Sequence, residues 1–264
     1  MPDFTAVEWR LGPLAAGLLV FFLWESLAPY LEQRRRGVHA ARNLTLAGCN
    51  AVLVGLCCAA ATVGVAAWTD ARGWGLLNQI ALPGWARLAL GVLLLDLWTY
   101  WWHRANHRVA LLWRFHRTHH SDPSMDVSTA LRFHGGELLA SAALRLALIP
   151  LLGLSLAAVA LYGLLVVLCT QFHHANIGLR RGLDRALRTL IVSPDMHKVH
   201  HSEIVAETDS NYSTLFSWWD RLFGTYRERE DCREIRFGVT ELGEERFQTL
   251  AGLALTPFRS TARR

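Results

Sequence analysis

The stretch Trp98-Thr99-Tyr100-Trp101-Trp102-His103-Arg104-Ala105-Asn106-His107 closes an apolar run and opens a histidine-rich region. The run from Trp85 to Trp102 suits a helix that reaches a bilayer face, and its terminal rings suit an interfacial belt. Directly beyond the belt, His103 and His107 stand four apart, which on a helix puts both on one face, one turn from each other. The spacing recurs in His116-Arg117-Thr118-His119-His120 and in His197-Lys198-Val199-His200-His201. Eleven of the twelve histidines lie between His103 and His201. Imidazole is the commonest transition-metal ligand near neutral pH, so this density predicts one polymetal site gathered from several segments at a membrane surface. Neighbours such as His119 and His120 diverge by about 100° on a helix. Eight imidazoles exceed the needs of one ion, so two metals are expected.

Outward from this region the chain alternates apolar runs with arginine clusters. The first run, Leu11 to Leu31, is interrupted by Glu25 and Pro29 but is long enough to span a bilayer. It reads as a retained helix: it is too long for a signal-peptide core, and the segment before it carries Asp3 and Glu8. A basic loop follows, with Arg34, Arg35, Arg36 and Arg42. The second run is Leu44 to Trp68. A fourth region, Leu138 to Thr170, is too long for one span and is divided by Arg145 and Pro150. It is either a helical hairpin or one tilted span preceded by an interfacial helix. Charge favours the hairpin. If the arginine clusters at 34–42, 104–117 and 180–188 share the cytoplasmic side, only a hairpin keeps all three histidine clusters together.

The expected fold is all-α: an integral membrane helical bundle of about four to five membrane helices, with a cytosolic histidine-rich helical cap holding a dimetal site. Three parts are expected: N-terminal membrane helices over 1–85, a catalytic unit over 86–226 and a charged helical tail over 227–264. Leu179 to Ile191 has the pattern of an amphipathic helix, lying in the interface or packed on the domain surface. The tail is expected to be helical near Glu241 to Leu255 and carries no chemical motif.

Composition narrows the function. The net charge of +5 is mostly arginine, placed beside apolar spans where it faces anionic headgroups rather than nucleic acid. Cys49, Cys57, Cys58 and Cys169 sit in apolar runs and read as small buried hydrophobes. With Cys232 they form no C-x-x-C pair and no disulfide framework. A structural zinc site would normally include thiolate, and there is no H-E-x-x-H. Imidazole also suits iron and copper. A nitrogen-rich pair of irons at a membrane surface suits dioxygen activation, and zinc can replace iron in purified protein. His134, in Arg132-Phe133-His134-Gly135-Gly136-Glu137, is a further candidate ligand. Of His173 and His174, His174 is preferred. His39, alone in the basic loop, reads as a surface or capping residue. Asp96, Glu137 and Asp220 are candidate acceptors for ligand imidazoles. Trp98, Trp101, Trp102 and Trp113 read as interface anchors. Two other uses of the same histidines are membrane metal binding or transport, and metal-dependent hydrolysis with Glu137 or Asp195 as base.

The segment Asp96 to His107 resembles the first motif of the fatty acid hydroxylase/sterol desaturase superfamily. Trp113 to Ser121 resembles its second motif and Ser193 to His201 its third. Asp209-Ser210-Asn211-Tyr212 and Trp219-Asp220-Arg221-Leu222-Phe223-Gly224-Thr225 look like its closing signature. The resemblance covers roughly residues 90–226. It implies a membrane-bound non-haem di-iron oxidoreductase that hydroxylates or desaturates a fatty acyl, sterol-like or related lipid with O2. It also implies His103, His107, His116, His119, His120, His197, His200 and His201 as metal ligands, with His134 and His174 matching less closely. No haem or flavin motif is fused here, so a separate electron donor is expected: a ferredoxin, cytochrome or reductase. The expected location is a bacterial inner membrane, with the histidine site on the cytoplasmic side.

Overall fold

The computed structural model describes residues 8–33 and 35–260. Among these the chain is helical, with only two isolated bridges, Ile191–Phe216 and Ser202–Phe237. Helix α1 (Glu8–Leu27) is followed by α2 (Arg36–Val54), which passes through a π turn at Gly55–Ala59 into α3 (Ala60–Arg72). From Arg36 to Arg72 the helix is continuous, about 55 Å at 1.5 Å per residue, against a bilayer core of about 30 Å. One end must therefore run past the bilayer, and the polar side chains show which. His39 contacts Asp122 at 2.8 Å, Asn43 donates to Ser128 Oγ at 2.9 Å, and Asn50 donates to the Phe133 carbonyl at 2.7 Å. Residues 36–42, expected as loop, are thus the helical start of α2, held there by the polar segment around residues 122–133.

Helix α4 (Gly84–Arg108) meets α5 (Ala110–His120) at the extended residue Val109. After a 3-10 turn at Val127–Leu131 come α6 (Gly135–Leu152) and α7 (Leu156–His174). Glu137 at the start of α6 meets His116, and His174 at the end of α7 meets His197, so the pair leaves the cap and returns to it. The reversal uses Gly153 at φ 73°, where an added Cβ would lie 2.9 Å from the Asn78 side chain. Ala66 of α3, Val92 and Leu95 of α4, Ile149 of α6, and Val159 and Tyr162 of α7 form the core between these helices.

Among the described residues, three segments are long and apolar enough to cross a membrane: one within Arg36–Asn78, then α6 and α7. Helix α1 is apolar over the shorter stretch Gly12–Leu27. Helix α4, expected as a span, carries Arg87 and Asp96 and is not among the three. Large apolar side chains such as Leu19, Leu56 and Leu151 are exposed on the helix exteriors, as lipid-facing positions are. Cys49 and Cys57 are exposed rather than buried as expected, because they lie on that same exterior.

The remaining helices are short: α8 (Arg181–Leu187), α9 (Pro194–His200), α10 (Val205–Thr208), α11 (Trp218–Leu222) and α12 (Leu250–Ala254). Helix α8 stops before Ile191. Arg188 turns inward to pair with buried Asp184, so it does not face headgroups. The expected tail helix is broken into two 3-10 turns and α12. Its Gln248 folds back to donate to the carbonyls of Ser121 and Leu242 at 3.0 and 2.7 Å.

This arrangement places the start of α2 on the cap side. With the arginine clusters expected on the cytoplasmic side, Val38→Cys in a background without native cysteines should react with a membrane-impermeant thiol reagent only after the cells are opened. Labelling in intact cells from the periplasmic side would refute that orientation.

Candidate metal centre

The ends of α4, α5 and α7, and α9 with the His201 that follows it, bring nine histidines into one buried cluster with two parts. One nitrogen each from His103, His107, His116, His120 and His200 forms the first group, all within 4.8 Å of one another. His119, His174, His197 and His201 form the second, to the same limit. Neighbouring His119 and His120 enter different groups, as do His200 and His201, which is the divergence that helical geometry imposes.

Five of the nine Nδ1 atoms face an acceptor. His103 donates to the Tyr212 carbonyl at 2.7 Å, His200 to the Ser210 carbonyl at 2.7 Å, and His174 to the Thr170 carbonyl at 2.7 Å. Nδ1 of His119 lies 3.3 Å from the Arg132 carbonyl. Glu137 Oε1 accepts from His116 Nδ1 at 2.8 Å. A proton on Nδ1 leaves Nε2 of a neutral ring with a bare lone pair.

The Nε2 atoms of the second group converge. Nε2 of His174 lies 3.2 Å from that of His119 and 3.0 Å from that of His197, which is 3.1 Å from that of His201. In the first group, Nε2 of His103, His116, His120 and His200 are buried with no hydrogen-bond partner. Leaving a buried polar atom unsatisfied costs about 1–3 kcal/mol. Four such atoms rival the whole stability of an ordinary fold, about 5–15 kcal/mol. A cation between the nitrogens removes that penalty, so the donor set fits two nitrogen-bound metal ions.

The electrostatics agree. Burial, followed by the neighbouring imidazoles, pushes His103 down to about 3 and holds His119, His120, His197, His200 and His201 well below the ordinary value. All are thereby kept neutral, the form that ligates.

Two candidates lie outside the groups. His134 caps α6: its Nδ1 accepts from the Gly136 amide at 3.0 Å and its Nε2 lies 3.1 Å from the Ala254 carbonyl. Both nitrogens are spent on backbone, so the structure does not bring His134 to the cluster. His173 packs on His197 with ring centroids 4.0 Å apart but is in neither group.

Of the three carboxylates, Glu137 reaches an imidazole. Asp220 works one step away: it accepts from the amides of Tyr212 and Ser213 at 2.7 and 2.9 Å and so fixes the carbonyl that holds His103. Gly224, at φ 68°, makes the turn that returns Thr225 to Asp220. Asp96 is turned to the Leu215 and Phe216 amides, Trp219 and Tyr162 rather than to a ligand. Trp113, expected as an interface anchor, instead stands against the site, 5.1 Å from the His107 ring.

Several supporting residues carried no sequence signal. Buried Glu25 of α1 accepts from the amides of Val127 and Asn176 at 3.1 and 2.8 Å and pairs with Arg36. Fully buried Arg132 bonds the Thr118 carbonyl, Asn43, Ser121 and Gln248. His39 is no surface residue: it bridges Asp122 and Asp126, just beyond His120. Burial alone would raise Asp122, but His39 and Arg132 hold it far below the usual carboxylate range.

The sequence profile of the fatty acid hydroxylase family matches residues 88–225, more than half of the chain and the whole span of the histidine cluster. The chain belongs to the fatty acid hydroxylase family. Similar family members include an ornithine lipid hydroxylase of Rhizobium tropici, 30% identical over 58% of this chain and 46% of its own length. An alkylglycerol monooxygenase of Danio rerio is 32% identical over 63% and 36%. A methylsterol monooxygenase of Gallus gallus is 27% identical over 55% and 49%. The chain thus spans less than half the length of each of these relatives. No solved structure matches it significantly.

Two outcomes test this centre. Glu137→Gln should weaken metal binding roughly 10–100-fold, read by chelator competition; unchanged affinity would remove Glu137 from the site. The metal-free protein should lose stability on acidification. The folded value of His103 is about 3 against an ordinary 6.5, so below 6.5 the unfolded chain takes up protons that the fold refuses. Its Tm should fall progressively as the pH drops below 6.5, and a flat profile there would contradict the neutral cluster.

Proposed function

We propose that this chain is a membrane-bound non-haem di-iron oxidoreductase that hydroxylates or desaturates a lipid, using O2 and electrons from a separate donor. One observation carries the reading: two groups of converging, partnerless or mutually facing imidazole nitrogens, buried at the ends of apolar helices. The names of the relatives, each a lipid or sterol hydroxylase or monooxygenase, point to the same substrate class.

The ligands proposed are His103, His107, His116, His120 and His200 for one iron, and His119, His174, His197 and His201 for the other. Iron bound there supplies the oxidising power that side chains lack for attack on an unactivated C–H bond. The protein contributes position and exclusion of water. Carbonyls of Tyr212, Ser210 and Thr170, together with Glu137, hold His103, His200, His174 and His116 in one tautomer and orientation. Trp113 and Phe133, both partly exposed, stand against the first and second groups and offer apolar walls to an incoming chain. The cap lies where α1 and α7 end and α6 begins, so a lipid tail reaches it from the bilayer while O2 and reductant approach from the cytoplasmic side of a bacterial inner membrane.

A hydrolytic use is less well served. Glu137 is committed to His116 and Asp195 pairs with Lys198 at 3.1 Å, so neither stands ready as a base.

The test is oxygen uptake by protein loaded anaerobically with ferrous iron and supplied with reductant. Lipid extract should stimulate uptake and yield an oxygenated or desaturated product by mass spectrometry. His119→Ala and His200→Ala should each lower bound iron and abolish turnover. Stable iron binding with no O2 reaction under any lipid or reductant would refute the proposal.

A further inference from the structure

A cavity lies apart from the metal centre, where the basic start of α2 meets the tail. It encloses about 200 Å³ and is lined by Arg35, His39, Arg42, Arg132, Glu245 and Gln248, among others. Both ring nitrogens of His39 face carboxylates, Asp122 at 2.8 Å and Asp126 at 3.1 Å. Both therefore carry protons, and the ring is a cation. The side-chain and backbone groups that bond Arg132 are all neutral. Arg42 pairs at 2.8 Å with Glu245, whose side chain is 63% exposed. A solvent-exposed pair of this kind holds weakly, so Arg42 can turn to a better acceptor.

Arg35 completes the set. Its side chain has no protein partner among the described residues, and its backbone is left-handed at φ 56°. Four cations at this cavity thus face three carboxylates, Asp122, Asp126 and Glu245. The first two are buried behind His39, so the uncompensated charge sits at the mouth, on Arg35. The void is several times the roughly 30 Å³ share of a water molecule, room enough for a tetrahedral oxyanion. Guanidinium pairs grip such anions through parallel N–H bonds.

We propose that this cavity is a phosphate-class anion site, with Arg35 and Arg42 as its binding groups and His39 and Arg132 as the fixed positive wall. Arg35 lies between the end of α1 and the start of α2, on the cap side of the apolar helices, and a headgroup phosphate of an anionic lipid is one source of such an anion. Free inorganic phosphate carries the same chemistry.

The experiment uses lipid-depleted, full-length protein in a neutral detergent and reads Tm, so it is independent of oxygenase activity. The probes are inorganic phosphate, phosphatidylglycerol and, as a reference, phosphatidylcholine. Phosphatidylglycerol should raise Tm by several degrees above the reference, and the concentration for half the shift should rise about tenfold or more in Arg35→Gln and Arg35→Gln/Arg42→Gln. Because Arg35 has no protein partner among the described residues, Arg35→Gln should leave the unliganded Tm unchanged. A shift with inorganic phosphate as well, lost in the same variants, supports the site and makes its ligand a free anion. A response to phosphatidylglycerol alone assigns it to the headgroup. No shift with either probe, or a shift equally reduced by Arg181→Gln on the exposed surface, would overturn the proposal.

Discussion

The mutual repulsion of bare imidazole lone pairs is the constraint on which the cap depends. Nε2 atoms of His119, His174, His197 and His201 stand 3.0–3.2 Å from one another along a chain of contacts, while Nδ1 of His119 and His174 faces a backbone carbonyl. The bare Nε2 atoms of His119 and His174 therefore face each other at 3.2 Å with no proton between them. Burial prevents the rings from escaping the conflict by protonation, since the charged form is the one that desolvation penalises. A cation between them resolves it, so this arrangement suits metal binding.

Much of the remaining structure serves to keep those rings from turning away. Four backbone carbonyls and one carboxylate face the Nδ1 atoms of five rings, and several of these segments are themselves held by something further out. Asp220 and the Gly224 turn hold the segment that presents the Tyr212 carbonyl, and Asn211, left-handed at φ 53°, ties that segment to Met196 and Arg227. Glu25 reaches from α1 to the amide of Asn176, two residues past His174. Arg132 clamps the end of α5 to α2 and the tail. These polar groups are buried and nearly all paired, so each is costly to break.

The helical class, the cap and the gathering of the three clusters are legible in the sequence because histidines four apart on a helix share one face and can share one ion. The hairpin at 138–170 is legible for a different reason: only a returning pair brings His174 beside His197. Long-range pairing is what the sequence hides. His134 sits in a segment rich in site residues, yet its position at the start of α6 makes it a cap. His39 is isolated in sequence, yet its partners lie more than eighty residues away. Asp220 reads as a direct acceptor, but it acts through backbone, which no side-chain pattern records. The short turns of the tail are equally hidden, because Gln248 gives no signal of its own.

One measurement addresses the paired centre directly: anomalous X-ray scattering at the iron edge from crystals of the iron-loaded protein. The account predicts two peaks, one enclosed by His103, His107, His116, His120 and His200 and the other by His119, His174, His197 and His201. A single peak, or iron bound at His134 or His39 instead, would contradict it.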